Sequence, residues 1–276
     1  QTQELVISKL NKKKKGRYGP PMGKKCVIFV DDMNMPAKEV YGAQPPIELL
    51  RQYFDCKHWY DLKDTSKIFL FDTLFMGAMG LPGGSRQEIY ARFLRHFNIF
   101  AICDFSEESM IKIFTTVLFV GLKRNGFATD VMNSVSSIVH ATMDMYQSAM
   151  NNLRPTPAKS HYIFNLRDFA RVIQGCSLVR KESAESKKFF GKLWVHEILR
   201  VFYDRLIEDA DRNWVFDKIR LCVREHLKEN FDLLFDNLPL ENNECTQESL
   251  RDFMFGNYMD MDALEEERKY EEIPSP

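Results

Sequence analysis

Residues 26–30 read Cys-Val-Ile-Phe-Val and are closed by Asp31-Asp32. Successive residues of a strand point to opposite sides, so a run this short and apolar throughout describes a strand buried between two helical layers. Such a strand calls for an α/β fold with a parallel sheet. The neighbouring sequence supplies the other parts. Pro45-Pro46 opens a helix over Ile47–Phe54, proline being favoured at a first helical position where the missing N–H has no partner. A second strand is expected over Leu74–Met79, stopped by Gly80-Leu-Pro-Gly-Gly84, and a third over Phe97–Ile102 after a short helical segment around Arg92–Arg95.

Beyond Asp104 the pattern becomes helical only, with helices expected over Glu107–Leu122, Asp130–Leu153, Asn165–Val179, Lys187–Glu208 and Asp211–Phe235. In the fourth, Trp194, Ile198, Val201, Phe202 and Leu206 recur at three- and four-residue spacing and form one apolar stripe. Thr129-Asp130 and Asp211 are N-cap candidates, and Arg154-Pro155-Thr-Pro157 is a break. Met143, Met145 and Met150 read as core filler. The organisation expected is an α/β part over 1–104, an all-α part over 105–238, and an acidic linker over 239–276 with room for one short helix.

Charge and cysteine usage narrow the class. Lys and Arg number 38 against 39 Asp and Glu, which leaves no electrostatic case for a nucleic-acid partner. The ends are nevertheless opposed: eight basic residues and one acidic in 1–25, three basic and eleven acidic in 241–276. Lys12–Lys15 reads as a solvated hairpin or loop. The six cysteines form no CxxC pair and suit reduced thiols of an intracellular protein. Cys56, His58 and His161 lack a second ligand pair at metal-site spacing and are read as structural. The longest nearly apolar stretch, Leu74–Gly84, is too short to span a bilayer, so no membrane partner is expected.

The chemistry concentrates at Asp31-Asp32. Four apolar residues followed by two acids form the Walker B pattern, in which Asp31 would hold Mg²⁺ beside nucleotide phosphates and Asp32 would orient the attacking water. The alternative is an ordinary strand ending in an acidic turn. A phosphate cradle needs Gly-x4-Gly-Lys-Ser/Thr between strand and helix. Gly19-Pro-Pro-Met-Gly-Lys-Lys25 only mimics it, because its prolines remove N–H donors and Lys25 stands where a metal-binding hydroxyl belongs.

Five ordered stretches carry a resemblance: Val27–Pro36 (VIFVDDMNMP), Tyr41–Arg51 (YGAQPPIELLR), Trp59-Tyr-Asp61, Arg92–Phe97 (RFLRHF) and His161–Asp168 (HYIFNLRD). Together they resemble the third AAA+ module of axonemal dynein heavy chains of the single-headed inner-arm type, over nearly the whole chain. The resemblance implies a truncated P-loop NTPase (AAA+) α/β subdomain followed by a helical lid and the link to the fourth module. It implies ATP or ADP with Mg²⁺ as cofactor, and neighbouring modules of the same heavy chain as partners. Microtubules and the light and intermediate chains would be reached only through the full complex, in the ciliary axoneme.

Residue by residue, the resemblance places Asp31 and Asp32 at Walker B, with Asp for the commoner Glu. Gly80 stands at the sensor-1 position, where it has no side chain to offer the γ-phosphate. Arg95 matches the arginine finger, with Arg92 as the alternative. Arg167 matches sensor 2 of the lid, its structural reading being a salt bridge to Asp168 or another acid. The stretch Gly80–Arg86 departs from the family's Gly-Pro-Pro-Gly-Gly-Gly-Arg. The implied function is a regulatory nucleotide-binding module of an ATP-driven, minus-end-directed motor, inactive by itself. A nucleotide-free ring segment and another AAA+ remodeller are the rivals. Exposed apolar surface and self-association are expected for the isolated piece.

Overall fold

A computed structural model describes residues 1–83, 85–127, 129–181, 186–238, 244–251, 253–260, 262 and 268–273, with only the backbone path at 129 and 130. The chain forms two compact units, Gln1–Cys103 and Asp104–Pro276.

In the first unit, strand β3 (Cys26–Val30) pairs in parallel with β6 (Thr73–Gly77), Val27 beside Leu74 and Phe29 beside Met76. The parallel pairing expected from the strand–helix–strand order is found. Helix α2 (Pro45–Cys56) covers one face of this ladder, with Tyr53 and Phe54 against Phe75 at ring separations of 5.1 and 5.4 Å. The other face departs from expectation. Val27, Phe29, Leu74 and Met76 stay 50–59% exposed, so a strand expected between two helical layers has one such layer among the described residues. The segment Phe97–Ile102 is also corrected. It forms no strand, and Ile99, Phe100 and Ile102 are exposed. An apolar run becomes a strand only where a ladder satisfies its backbone, and among the described residues this one joins none.

A second sheet, unforeseen, has the order β1-β2-β5-β4, built from β1 (Asn11–Lys14), β2 (Arg17–Gly19), β4 (His58–Tyr60) and β5 (Lys67–Leu70). Its β1–β2 pair is the solvated lysine hairpin, and Gly16 makes the turn possible. Its φ is +67°, and a Cβ there would stand 2.6 Å from the Lys67 carbonyl oxygen. Lysines along the β1 edge oppose further strand pairing. Trp59, fully buried, donates from Nε1 to the Leu49 carbonyl at 2.7 Å and pins β4 under α2.

The second unit is helical: α4 (Glu107–Arg124), α5 (Thr129–Asn152), α6 (Leu166–Leu178), α7 (Lys187–Ile198), α8 (Asp209–Cys222) and the short α9 (Phe231–Leu234), with α1 (Thr2–Ser8) and α3 (Ala91–Leu94) belonging to the first unit. The stripe Trp194, Ile198, Val201, Phe202 and Leu206 is buried throughout. Trp194 Nε1 donates to Thr142 Oγ1 at 2.9 Å, which satisfies its one polar atom inside the core. The two long helices expected over 187–208 and 211–235 are shorter, because α7 and α8 open into π-turns at Leu199–Tyr203 and Val223–Leu227. Lys228, with φ +56°, ends the second.

The break after α5 falls at the prolines as expected. Asp211 is not the cap of α8. It lies in the first turn, where Oδ2 accepts from Lys159 Nζ at 2.6 Å and the Tyr162 hydroxyl at 3.0 Å. The side chains of Thr129 and Asp130 lie outside the described residues. Met143 and Met145 are buried, whereas Met150 is exposed.

All six cysteines are free, and three of them, Cys176, Cys222 and Cys245, are buried. The stretch read as a linker includes 239–243, 252, 261, 263–267 and 274–276, which lie outside the described residues. Its described part packs on the helices through Cys245, Leu250, Phe253 and Phe255. There β7 (Phe255–Gly256) pairs antiparallel with β8 (Glu271–Glu272). These aromatic and aliphatic residues were diluted among acids, which is why composition alone suggested a linker. Among the described residues no helix is long and apolar enough to cross a membrane.

Candidate functional site

The carboxyl end of β3 carries two exposed acids in a tight turn. The ladder to β6 continues past both strands, Ala78 N–H donating to the Val30 carbonyl and Met33 N–H to the Ala78 carbonyl, each at 2.9 Å. That pull turns the chain at Asp32, whose φ of +45° is left-handed and unusual for a residue with a Cβ. Asp31 Oδ1 accepts from the adjacent Asp32 N–H at 2.9 Å, which offsets part of the strain.

The loop after β6 folds back over this turn. Asn34, 1% exposed, donates from Nδ2 to the Gly80 carbonyl at 2.8 Å, and its own carbonyl accepts from Gln87 N–H at 2.8 Å. Arg86 Nη2 then reaches Asp32 Oδ1 at 3.1 Å. A Cβ at Gly80 would sit 3.1–3.2 Å from Cδ, Nε and Cζ of Arg86. The missing side chain at Gly80 therefore leaves the room in which the Arg86 guanidinium lies. Neither Arg86 nor Asn34 stands out in the sequence. The contact joins residues 54 apart, and the only local signal was the departure at Gly80–Arg86.

The donor set can be tested against Mg²⁺. Asp31 is open to solvent and, among the described residues, is engaged by a backbone N–H alone, which suits a hydrated hard cation that takes one or two carboxylates. Asp32 is partly neutralised by Arg86. Phosphate-gripping donors are a different matter. Gly19–Lys25 runs through a turn, with Lys24 N–H on the Pro21 carbonyl at 3.1 Å, straight into β3 without an intervening helix. It supplies no helix N-terminus for an anion. The carboxylates thus fit a Mg-nucleotide, and the cradle is not formed by this loop.

The two arginine-finger candidates are anchored on α2. Asp55 Oδ1 accepts from Arg95 Nη2 at 2.9 Å and lies 3.1 Å from His96 Nε2, while its other oxygen takes Arg51 at 2.8 Å. Glu48 takes Arg92 at 3.2 Å and Arg51 at 2.7 Å. Arg95 and Arg92 remain 63% and 62% exposed, so each guanidinium keeps donors free for a further anion. The Arg95 hydrogen bond, opposed by partial burial, holds the Asp55 carboxyl below its ordinary 3.8. A depressed carboxyl contributes stability above its unfolded value and loses it as pH falls through the folded one. Acid titration followed by the ring protons of His96 should therefore show α3 loosening from α2 below pH 3.8, and Asp55→Asn should abolish that transition.

Arg167 belongs to the second unit. It is exposed in the first turn of α6 and makes no ion pair among the described residues. The salt bridge to Asp168 that served as its structural reading is not formed. Asp168 instead pairs with Arg205 at 2.8 Å. Cys56, His58 and His161 hold no metal geometry. His58 Nδ1 lies 2.8 Å from the Cys56 carbonyl and its ring packs on Tyr60 and Phe69, while His161 Nε2 lies 2.9 Å from the Arg205 carbonyl.

Comparison with known proteins agrees with this arrangement. Residues 1–105 match the family described as P-loop containing dynein motor region, and residues 138–241 match the AAA+ lid domain. The chain is 55% identical to dynein axonemal heavy chain 12 of Mus musculus over 99% of its own length, and 51% identical to the Homo sapiens protein of that name over 100%. It is 44% identical to dynein axonemal heavy chain 3 of Mus musculus over 99%. The chain spans 9% of the first two relatives and 7% of the third. With a motor-region match on the unit that carries the acidic turn and a lid match on the helical unit, the chain belongs to the axonemal dynein heavy chains.

Proposed function

We propose that this stretch is a nucleotide-responsive wedge of a ciliary dynein motor ring: the third AAA+ module from its acidic strand end through the lid, with the connection to the fourth. The observation that carries the reading is the Asp31-Asp32 turn at the carboxyl end of a parallel strand, where ligands of open α/β sheets bind. In this reading Asp31 holds the Mg²⁺ of ATP or ADP, Asp32 orients water, and Arg95 reaches a neighbouring module's phosphates. Arg167 carries the phosphate state into the lid. Bound Mg-nucleotide would supply the anionic charge that these groups recognise.

The chain's own contribution is positional. The β3–β6 ladder aims the acids, Asn34 fixes the Gly80 loop, and Arg86 occupies Asp32. A nucleotide that binds one orientation of lid and motor region better than another shifts the population toward it, and the ring transmits the change. The whole motor would use that gating between its main ATPase site and its microtubule-binding stalk as it moves toward microtubule minus ends in the axoneme. Neighbouring modules are the direct partners, and light and intermediate chains are reached through the assembled complex. A nucleotide-free ring segment is the second reading, favoured by Gly80, which offers no side chain to a γ-phosphate.

Titration of Mg-ATP onto a chain extended upstream of Gln1 separates the two. The nucleotide reading expects Mg-dependent binding that weakens about 10- to 100-fold in Arg167→Ala, the range for losing a charge-assisted hydrogen bond. Binding absent, or unchanged in Arg167→Ala and Asp31→Ala, selects the structural segment. The 276-residue chain alone is expected to show no Mg-ATPase turnover.

A further inference from the structure

The helical unit holds a cluster that nucleotide chemistry does not use. Asp144 on α5 faces Glu225 and His226 on the π-turn after α8, and one ligand atom from each lies within 4.8 Å of the other two. Asp144 Oδ2 stands 3.2 Å from His226 Nε2. Oxygen and nitrogen ligands held at about 2.0–2.2 Å on one tetrahedral Zn²⁺ are separated by about 3.3–3.5 Å. The carboxylate and imidazole are thus already close to the spacing of a shared ion.

The surroundings are those of a supported ligand. Asp144 Oδ1 accepts from Lys218 Nζ at 2.7 Å, and the buried Cys222 thiol donates to Oδ2 at 3.5 Å. Carboxylates that bind metals are commonly oriented by such outer hydrogen bonds, which leave one oxygen lone pair to the metal. An ion triad of Lys218, His226 and Asp144 would account for these contacts but not for the second carboxylate. Glu225 is exposed, forms no ion pair among the described residues, and still brings an oxygen within 4.8 Å of both other ligand atoms. A divalent cation between the two carboxylates relieves their mutual repulsion.

The geometry points to a transition-metal site in the lid, with Zn²⁺ as the fitting ion, ligated by Asp144 Oδ2, the Glu225 carboxylate and His226 Nε2. Water completes the shell. An imidazole among two carboxylates favours zinc over the all-oxygen shells of Mg²⁺ and Ca²⁺. Cys222 stays an outer donor in this assignment. The consequence is mechanical: the ion would staple α5 to the π-turn, joining residues about 80 apart in sequence across the lid core.

Calorimetric titration of ZnCl₂ onto the 276-residue chain near neutral pH, with Co²⁺ as a spectroscopic probe, tests the site. One equivalent should bind, and the cobalt form should show visible bands of low-symmetry four-coordination without a thiolate charge-transfer band. His226→Gln and Asp144→Asn should weaken binding about 100-fold or more, beyond the 10- to 100-fold cost of losing an outer-shell partner. Glu225→Gln, an exposed change that leaves the fold intact, should weaken it about 10-fold. No saturable binding below about 1 mM would overturn the site. So would affinity unchanged in both Glu225→Gln and His226→Gln, or a cobalt–thiolate band lost in Cys222→Ala.

Discussion

Gly175→Ala is expected to destabilise the helical unit by about 3 kcal/mol or more, the sum of overpacking and a broken buried charged hydrogen bond. Gly175 lies on α6, and a Cβ there would overlap the carboxyl carbon and both oxygens of Glu197 on α7. Glu197 is 7% exposed, so its carboxylate has no solvent to retreat into. Its Oε1 accepts from the Tyr270 hydroxyl at 2.6 Å. Burial, then the Glu197 charge, pushes the Tyr270 phenol well up, so it remains a donor at neutral and alkaline pH.

That bond helps fasten the returning strand β8 to the lid, together with Lys192 Nζ on Glu272 at 3.6 Å, Asn237 Nδ2 on Glu272 at 3.1 Å and Ile273 N–H on the Met254 carbonyl at 2.9 Å. Adding one methyl therefore displaces a carboxylate and weakens the hold on residues 268–273 at Tyr270. Urea unfolding followed by Trp194 and Trp214 fluorescence reads the first effect, and hydrogen exchange at 268–273 reads the second. In a Glu197→Ala background the Gly175→Ala cost should fall sharply, since neighbours that share one space are not additive. A midpoint shift under about 0.5 kcal/mol in Gly175→Ala would refute the packing argument.

The contrast between what the sequence discloses and what it hides follows from sequence distance. Strand β3 is legible because Cys26–Val30 is apolar throughout and ends on two acids, a local pattern with one structural meaning. The helices of the second unit are legible from stripes such as Trp194, Ile198 and Phe202, whose spacing is set by a single helix. The four-stranded sheet is not, since His58–Tyr60 and Arg17–Gly19 are three-residue strands too short to carry a period. Phe97–Ile102 shows the converse failure: its composition suits a strand, but pairing is decided by another segment.

The candidate site divides the same way. Asp31 and Asp32 announce themselves, whereas the Arg86 contact to Asp32 and the Arg95 contact to Asp55 join residues 54 and 40 apart. Gly80 illustrates how a missing side chain changes meaning in the fold. Read alone it is a lost hydrogen-bond donor; in the fold it is the space that a guanidinium fills.

Asp168→Ala should cost the helical unit about 3–5 kcal/mol, the range for stripping one partner from a buried ion pair. Asp168 is 3% exposed and works in two directions. Oδ2 accepts from Asn165 N–H at 3.0 Å while the Asn165 side chain accepts from Asp168 N–H, closing a reciprocal cap on α6. Oδ1 takes Arg205 Nη2 at 2.8 Å, with Arg171 at 3.5 Å. The Arg205 guanidinium lies over the Phe164 ring at 5.0 Å, and Phe164 stacks on Phe202 of the central stripe at 5.3 Å.

Removing the carboxylate thus leaves the Arg205 guanidinium with the Ile163 carbonyl at 3.3 Å but no counter-charge, strips the Asn165 N–H of its acceptor and loosens an aromatic stack. Asp168→Asn keeps the shape and one acceptor oxygen, so it should fall between wild type and alanine. Arg167→Ala, one residue earlier but exposed, should shift the urea midpoint by less than about 0.5 kcal/mol. This pairing separates scaffold from function. If Arg167 senses phosphate, its alanine variant loses nucleotide response at full stability, whereas Asp168→Ala loses both because the turn that presents Arg167 is no longer held. Equal destabilisation by the two substitutions would show that Arg167 is itself part of the scaffold and remove it from the nucleotide site.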